Sequence, residues 1–114
     1  MGVVYYANYF VWFEVGRCEL LRSLGRTYGE LETDGVQLPV IEAHCAYHDS
    51  ARYDDNIKIA TTGLLLSPVR VEFRYDVSRD SDGTLLASGR TVHAAVDSAG
   101  RPRRLPADVQ AVLK

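Results

Sequence analysis

The chain has 114 residues, of which 46% are hydrophobic and 25% charged, and its formal net charge at pH 7 is −2. This length suits one domain, residues 1–114, with a modest core. With 13 basic and 15 acidic residues, the chain lacks the basic surface that general nucleic-acid binding needs. No apolar run approaches the roughly 20 residues of a membrane span.

The positions of the cysteines and histidines indicate a protein of a reducing compartment that has no metal site. Cys18 and Cys45 do not have the spacing of metal ligands, and no secretory signal is visible, so we expect a cytoplasmic protein with buried thiols. His44, His48 and His93 lack matching carboxylates for a metal site. No cofactor is therefore expected.

The first predicted element is a helix over residues 8–24. Gly25 is a plausible end for this helix, and Gly16 would let another backbone approach it closely. Apolar residues surround more than half of the helix, which is typical of a largely buried one. These residues are Tyr9, Phe10, Trp12, Phe13, Val15, Leu20, Leu21 and Leu24. Residues 28–35 indicate a short turn or irregular helix.

The rest of the chain predicts four antiparallel strands. Residues 69–78 alternate strictly between apolar and polar, which is the clearest strand pattern in the sequence. Further strands are predicted over residues 38–47, 57–66 and 85–96, with a hairpin turn at 81–83. Residues 97–104 form a basic turn, and Pro106 can open a final short helix. The predicted class is α+β, an antiparallel sheet curled around one long buried helix.

Four segments carry a family resemblance that covers essentially the whole chain in order. GVVYYANYFVWFEVGR, VIEAHCAYHDSARYDDNIKI, SPVRVEFRY and RPRRLP resemble hotdog-fold acyl-CoA thioesterases of the 4-hydroxybenzoyl-CoA thioesterase type. The resemblance implies the hotdog fold and hydrolysis of an acyl-CoA thioester to free acid and CoA.

The same resemblance raises a question about the start of the chain. Family members carry a D-x-x-G-V-V-Y pattern whose Asp is the main catalytic carboxylate, and Met1 stands at the second x. A start further upstream and a shortened homologue both account for this, and a methionine inside a motif favours the first. We expect the chain as written to hydrolyse thioesters poorly.

Two residues are candidates for the chemistry. The resemblance makes the backbone N–H of Tyr6 the oxyanion donor, at a helix start where unpaired N–H groups and the positive dipole end meet. Glu14 lies eight residues later, on nearly the same side of the helix, and a related branch of the family uses a helix Glu at similar spacing. The alternative for Glu14, which we favour, is an ion pair or hydrogen bond, for instance with Arg17. Aromatic neighbours predict a buried Glu14 with a raised pKa.

The candidate binding residues are aromatic or basic. Tyr5, Tyr9 and Phe13 are expected to contact the acyl group, with simple aromatic packing as the alternative. Arginines are expected to hold the CoA phosphates, with a solvated charged turn as the alternative; they are Arg70, Arg101, Arg103 and Arg104. Asp54 and Asp55 could do acid/base work, but capping a connector is the favoured role.

The resemblance also implies assembly into a homodimer or a dimer of dimers. The strand over residues 38–47 would pair across a two-fold axis, and each active site would lie near one helix start and the partner's sheet. Two rivals are a non-catalytic acyl-thioester-binding or scaffold protein and a hotdog dehydratase. The dehydratase would pair a helix acid with a histidine, and no histidine lies near the helix start in the sequence.

Overall fold

A computed structural model describes residues 8–52 and 54–113. The elements within these ranges follow the predicted order, with bounds shifted by at most two residues. The helices are α1 (Asn8–Ser23), α2 (Tyr28–Thr33) and α3 (Ala107–Val112), and the strands are β1 (Val40–Tyr47), β2 (Ile57–Ser67), β3 (Arg70–Arg79) and β4 (Leu85–Ala94).

The four strands form one antiparallel sheet in the order β1-β4-β3-β2. Since successive side chains of a strand point to opposite faces, the alternation along β3 divides it into an apolar and a polar face. Phe73, Tyr75 and Val77 are buried beneath α1, whereas Arg74 and Asp76 are exposed on the outer face. The sequence pattern of this strand is therefore confirmed.

Helix α1 crosses the inner face of the sheet. Near its start the ring of Tyr9 meets Tyr47 of β1 edge-on, with centroids 5.1 Å apart. One turn later Phe13 stacks on Tyr75 of β3 at 4.4 Å. The Phe13 ring occupies the space where a side chain at Gly89 would stand, so a glycine in β4 permits this close packing.

Helix α1 is less enclosed than its apolar composition predicts. Its buried residues are Tyr9, Phe13, Gly16 and Leu21. Phe10, Val11 and Val15 are 39%, 55% and 45% exposed, because one four-stranded sheet covers only one side of the helix. In the single chain, therefore, the apolar helix is buried on the side that faces the sheet and exposed on the other.

Gly16 within α1 and Gly25 just after its end have different structural roles. Gly25 ends the helix as predicted: its φ is +87°, and the N–H of Arg26 donates to the carbonyl oxygen of Leu21 at 3.0 Å. Gly16 was expected to admit another backbone. The groups that approach it are instead the side chains of Thr61 and Ile59 on β2.

Candidate active site

The start of α1 lies over the end of β1. Tyr5 and Tyr6, the predicted acyl contact and oxyanion donor, lie outside the described residues. Tyr9 is 2% exposed and its hydroxyl hydrogen-bonds the backbone of Ala51. Burial raises the pKa of Tyr9, and the nearby carboxylate of Asp49 adds to this shift.

The predicted acyl-contact residues Tyr9 and Phe13 both belong to the core. Phe13 is fully buried between Tyr75 and Gly89. In the single chain neither ring offers surface to a ligand, which favours packing as their role. Acyl contact by Tyr9 and Phe13 stays a prediction.

The connector between β1 and β2 has the structural role that the sequence favoured. The Oδ2 atom of Asp55 accepts hydrogen bonds from the backbone N–H of Arg52 at 2.8 Å and from Nε of Arg79 at 3.1 Å. The Arg52 N–H and then the Arg79 guanidinium hold the pKa of Asp55 below its usual value. A carboxylate whose ionised form these two donors stabilise fixes the turn and is poorly suited to proton transfer.

Glu14 lies in a more open place than predicted. It is exposed, and it lines the rim of a cleft of about 490 Å³ between α1 and the connection from α2 to β1. The expectation of buried aromatic surroundings is wrong, because Glu14 faces away from the sheet. Within residues 8–52 and 54–113, Glu14 forms no ion pair with Arg17, the alternative favoured for it. Its catalytic role stays a prediction.

The floor of this cleft contains a residue that sequence reasoning considered only as a partner for Glu14. Burial raises the pKa of Tyr75, and the guanidinium of Arg17 lies close enough to oppose this shift. From there a chain of buried polar groups continues: Tyr75 to Thr91 at 2.7 Å, and Thr91 to Nε2 of His93 at 2.9 Å. Nδ1 of His93 ends the chain at the carbonyl oxygen of Leu38.

Tyr28 is the second residue that the sequence analysis missed. It lines the same cleft, and its hydroxyl is shielded from solvent, with no partner of acceptable geometry in the described part of the chain. The Arg17 guanidinium lies close enough to oppose the effect of burial on the pKa of Tyr28. The available signal was an arginine within an apolar helix, which needs polar partners inside the fold.

The four candidate arginines come together at one end of the sheet. The N–H of Arg103 donates to Ala95 at 2.9 Å, and the N–H of Leu105 donates to Pro68 at 2.9 Å. These bonds bring residues 101–105 alongside the turn that leads into Arg70. All four side chains are exposed, and none forms an ion pair with another described residue: Arg70, Arg101, Arg103 and Arg104. This group is called the arginine cluster below.

The arginine cluster lies at the opposite end of the sheet from the start of α1. It flanks the end of β4 and the start of β3, beside the beginning of β1 at Val40. The helix start lies over Tyr47, where β1 ends. Seven residues of strand separate these positions, roughly 23 Å at the usual rise. One chain therefore does not bring the two predicted parts of the active site together.

The remaining candidate ligands do not converge. His93 is buried in the polar chain, His48 Nε2 hydrogen-bonds Ser88 at 2.7 Å, and His44 is exposed on β1. Among the described residues, no three His, Cys, Asp or Glu side chains are arranged to bind a metal ion. None of the described helices is long and apolar enough to cross a membrane.

The structure has an antiparallel sheet packed on one helix, with the helix start at one end of the sheet and the arginine cluster at the other. This arrangement agrees with the thioesterase class that the comparison with known families identifies. Residues 1–113 match the model of the Thioesterase-like superfamily. The chain belongs to this family, and the hotdog fold expected from its sequence is confirmed.

Individual relatives agree with this assignment. The acyl-CoA thioester hydrolase YbgC of Escherichia coli O157:H7 is 29% identical over 99% of this chain and 84% of its own. The crystal structure of TT1821 from Thermus thermophilus, a hypothetical protein, matches with a TM-score of 0.89 and 34% identity, covering 99% of this chain and 85% of that one. The DHNA-CoA thioesterase of Staphylococcus aureus matches with a TM-score of 0.85 and 31% identity, over 92% and 70%.

Proposed function

We propose that this protein hydrolyses acyl-CoA thioesters to the free acid and CoA. The observation that carries the proposal is the family match over residues 1–113. Relatives named for acyl-CoA and DHNA-CoA hydrolysis support it. A cytoplasmic location belongs to the same proposal, and the free thiols of Cys18 and Cys45 are compatible with it.

The second part of the proposal is a homodimer formed through β1. This strand pairs with β4 on one edge, and no other described strand pairs with its free edge. Val40 and Ile41 of β1 are 47% and 44% exposed. A long, partly apolar edge is a template for pairing with a second copy. A dimer of dimers would keep this same contact.

Antiparallel pairing of two β1 strands about a two-fold axis would complete the active site. The Val40 end of one strand would lie beside the Tyr47 end of its partner. The arginine cluster of one protomer would then approach the helix start of the other. The separation of these two parts within one chain supports a site shared between two chains.

The proposed chemistry uses this shared site. Water attacks the thioester carbonyl carbon, the C–S bond breaks, and the CoA thiolate leaves and takes up a proton. The N–H of Tyr6 would stabilise the oxyanion, and Glu14 would take the proton of the attacking water. The arginine cluster would hold the CoA phosphates through charge-assisted hydrogen bonds.

The direct test measures free thiol released from short-chain, medium-chain and aromatic acyl-CoAs. Glu14→Gln is expected to lower the rate about 100-fold or more if Glu14 is the general base. Glu19→Gln, on the same helix and also exposed, is the matched control. Binding without thiol release, both by this chain and by a version extended upstream with the expected Asp, would favour the non-catalytic alternative.

A further inference from the structure

We infer that Arg103 is the arginine of the cluster that the fold holds ready for a phosphate of CoA, and that Gly35 positions its guanidinium. The acceptor is a phosphate oxygen of CoA, so the assignment rests on the proposed thioesterase function. Gly35 itself contacts no substrate and acts only through Arg103, which makes it a positioning residue.

The guanidinium of Arg103 lies against the backbone of Gly35. A methyl group at Gly35 would stand 3.1 Å from Nη1 of Arg103, 3.3 Å from its Cζ and 3.6 Å from its Nη2. Three such similar distances place that methyl group over the flat face of the guanidinium and not at its edge. The guanidinium therefore rests on space that only a glycine leaves open, with its N–H edges free.

The backbone conformation explains why residue 35 is a glycine, but it does not explain the arginine that covers it. Gly35 follows α2 with a φ of +83°, and Gly25 follows α1 with a φ of +87°. Both positions favour glycine for this reason. No described atom of another segment lies within 4 Å of a methyl group placed at Gly25. The contact with Arg103 is therefore an additional feature of Gly35.

Both ends of the Arg103 side chain are held in place. At its base, the backbone N–H of Arg103 donates to Ala95 at 2.9 Å, and the N–H of Leu105 donates to Pro68 at 2.9 Å. Leu105 is buried, so this segment is anchored in the core. At the other end the guanidinium rests on Gly35. An arginine that is already ordered loses little side-chain freedom on binding, whereas a free one must first be fixed.

The donor groups of Arg103 are available to an anion. Its guanidinium forms no hydrogen bond and no ion pair with another described residue. Asp34, next to Gly35, is paired with Arg26 instead, and Glu32 in the same turn forms no ion pair with Arg103. A planar guanidinium has five N–H groups in a fork that matches the oxygens of a phosphate. A phosphate would therefore meet a free, positioned donor here.

The experiment measures the affinity of three non-hydrolysable probes by isothermal titration calorimetry. They are the S-octyl thioethers of CoA, dephospho-CoA and pantetheine, which share the thiol arm and the alkyl chain. CoA carries a 3′-phosphate and a diphosphate, dephospho-CoA carries the diphosphate alone, and pantetheine carries neither. The wild-type protein is expected to bind the CoA probe at least about tenfold more tightly than the pantetheine probe.

Arg103→Gln and Gly35→Ala are the test variants. We expect each to bind the CoA probe about tenfold more weakly and the pantetheine probe like the wild type. The double variant should bind the CoA probe no more weakly than Arg103→Gln alone, because Gly35 acts through Arg103. A loss in Arg103→Gln that extends to the dephospho-CoA probe assigns the diphosphate, and a loss confined to the CoA probe assigns the 3′-phosphate.

Gly25→Ala is the matched control. It places the same methyl group at the same kind of backbone conformation, but without a guanidinium above it. We expect it to lower the melting temperature and to bind both probes like the wild type. If Gly35→Ala is too unstable to titrate, Gly35→Asn and Gly25→Asn replace the pair, since asparagine also has a Cβ atom but tolerates a positive φ.

The outcomes separate this inference from the proposed function. Wild-type affinity of Arg103→Gln for the CoA probe would overturn the inference as a whole. Additive losses in the double variant, or a residue 35 variant that binds the CoA probe like its Gly25 control, would overturn the positioning role. These results would leave the thioesterase proposal standing. Failure of the wild type to bind any of the three probes would count against the proposed function as well.

Discussion

The Nδ1 atom of His93 lies 2.9 Å from the carbonyl oxygen of Leu38, and this contact fixes the tautomer of a buried imidazole. A carbonyl oxygen only accepts, so Nδ1 carries the proton and Nε2 is the acceptor. The Thr91 hydroxyl must therefore donate to Nε2. It can then accept from the hydroxyl of Tyr75. Every hydrogen bond in this series of buried polar groups therefore has one possible donor and one possible acceptor.

Protonation of His93 would disrupt this arrangement of hydrogen-bond donors and acceptors. Nε2 would become a donor facing Thr91, and the Thr91 hydroxyl would have to turn towards Tyr75. The Tyr75 hydroxyl would then accept from Thr91, and its own proton would have no acceptor among these groups. In agreement, burial and then the charge of Arg17 lower the pKa of His93, although the Leu38 hydrogen bond opposes them.

The first prediction concerns stability against pH. The folded state holds His93 neutral below 6.5, its pKa in the unfolded chain, so the unfolded state binds more protons there. The contribution of His93 to the free energy of unfolding is complete above this pH and is lost as the pH falls towards the folded-state pKa. Urea titrations at several pH values should show this slope. His93→Gln should flatten it, and His44→Gln, at an exposed position, should leave it.

A slope in His93→Gln as steep as in the wild type would show that other groups cause the acid sensitivity. Both variants retain His48, so this residue does not contribute to a difference between them. The comparison of His93→Gln with His44→Gln therefore isolates the buried position.

The second prediction uses one substitution at two sites. Thr91→Val leaves the hydroxyl of Tyr75 and Nε2 of His93 without their shared partner, at a cost of about 1–3 kcal/mol. Thr61→Val removes a buried hydroxyl that is unpaired within the described residues, so its cost should not exceed about 0.5 kcal/mol. Urea denaturation measures both. Equal losses would mean that the polar chain adds nothing to stability.

The third prediction concerns the glycine beneath the helix. A methyl group at Gly89 would collide with the ring of Phe13 and the carbonyl oxygen of His44. Gly89→Ala should therefore destabilise the protein by about 1–3 kcal/mol. Gly29→Ala is the control, since Gly29 lies in α2 with only Thr27 near, at 3.9 Å, and alanine there should stabilise by about 0.4–1 kcal/mol. Thermal melts that ranked Gly29→Ala below Gly89→Ala would contradict the packing described for α1.

Local patterns were sufficient for the elements and insufficient for their surroundings. The alternation over residues 69–78 depends only on neighbouring residues, and β3 follows it within one residue. The exposure of Val11 and Val15 depends on what covers the far side of α1, which periodicity does not contain. The same limit explains why Glu14 was expected to be buried.

Long-range contacts account for the residues that were missed. The tyrosines near Arg17 lie on β3 and α2, and the partners of Thr91 lie on β3 and β4, so no local spacing predicts this group of buried polar residues. Arg70 precedes the other members of the arginine cluster by 31 to 34 residues in the sequence. Hydrogen bonds from residues 101–105 to Pro68 and Ala95 bring them together.

The last prediction tests the shared active site by mixing two damaged proteins. If the site combines Glu14 of one protomer with the arginine cluster of its partner, Glu14→Gln and a combined Arg70→Gln and Arg104→Gln variant should each be slow alone. In a mixed dimer, one site receives both defects and the other receives neither. Random exchange of subunits makes half of the dimers mixed, so thiol release should recover to about a quarter of the wild-type rate.

Recovery should require exchange of subunits, so a brief mixture of the two variants without dissociation and reassembly is the control. No recovery after exchange, with mixed dimers detected by mass spectrometry, would place both sets of residues in the same protomer's site.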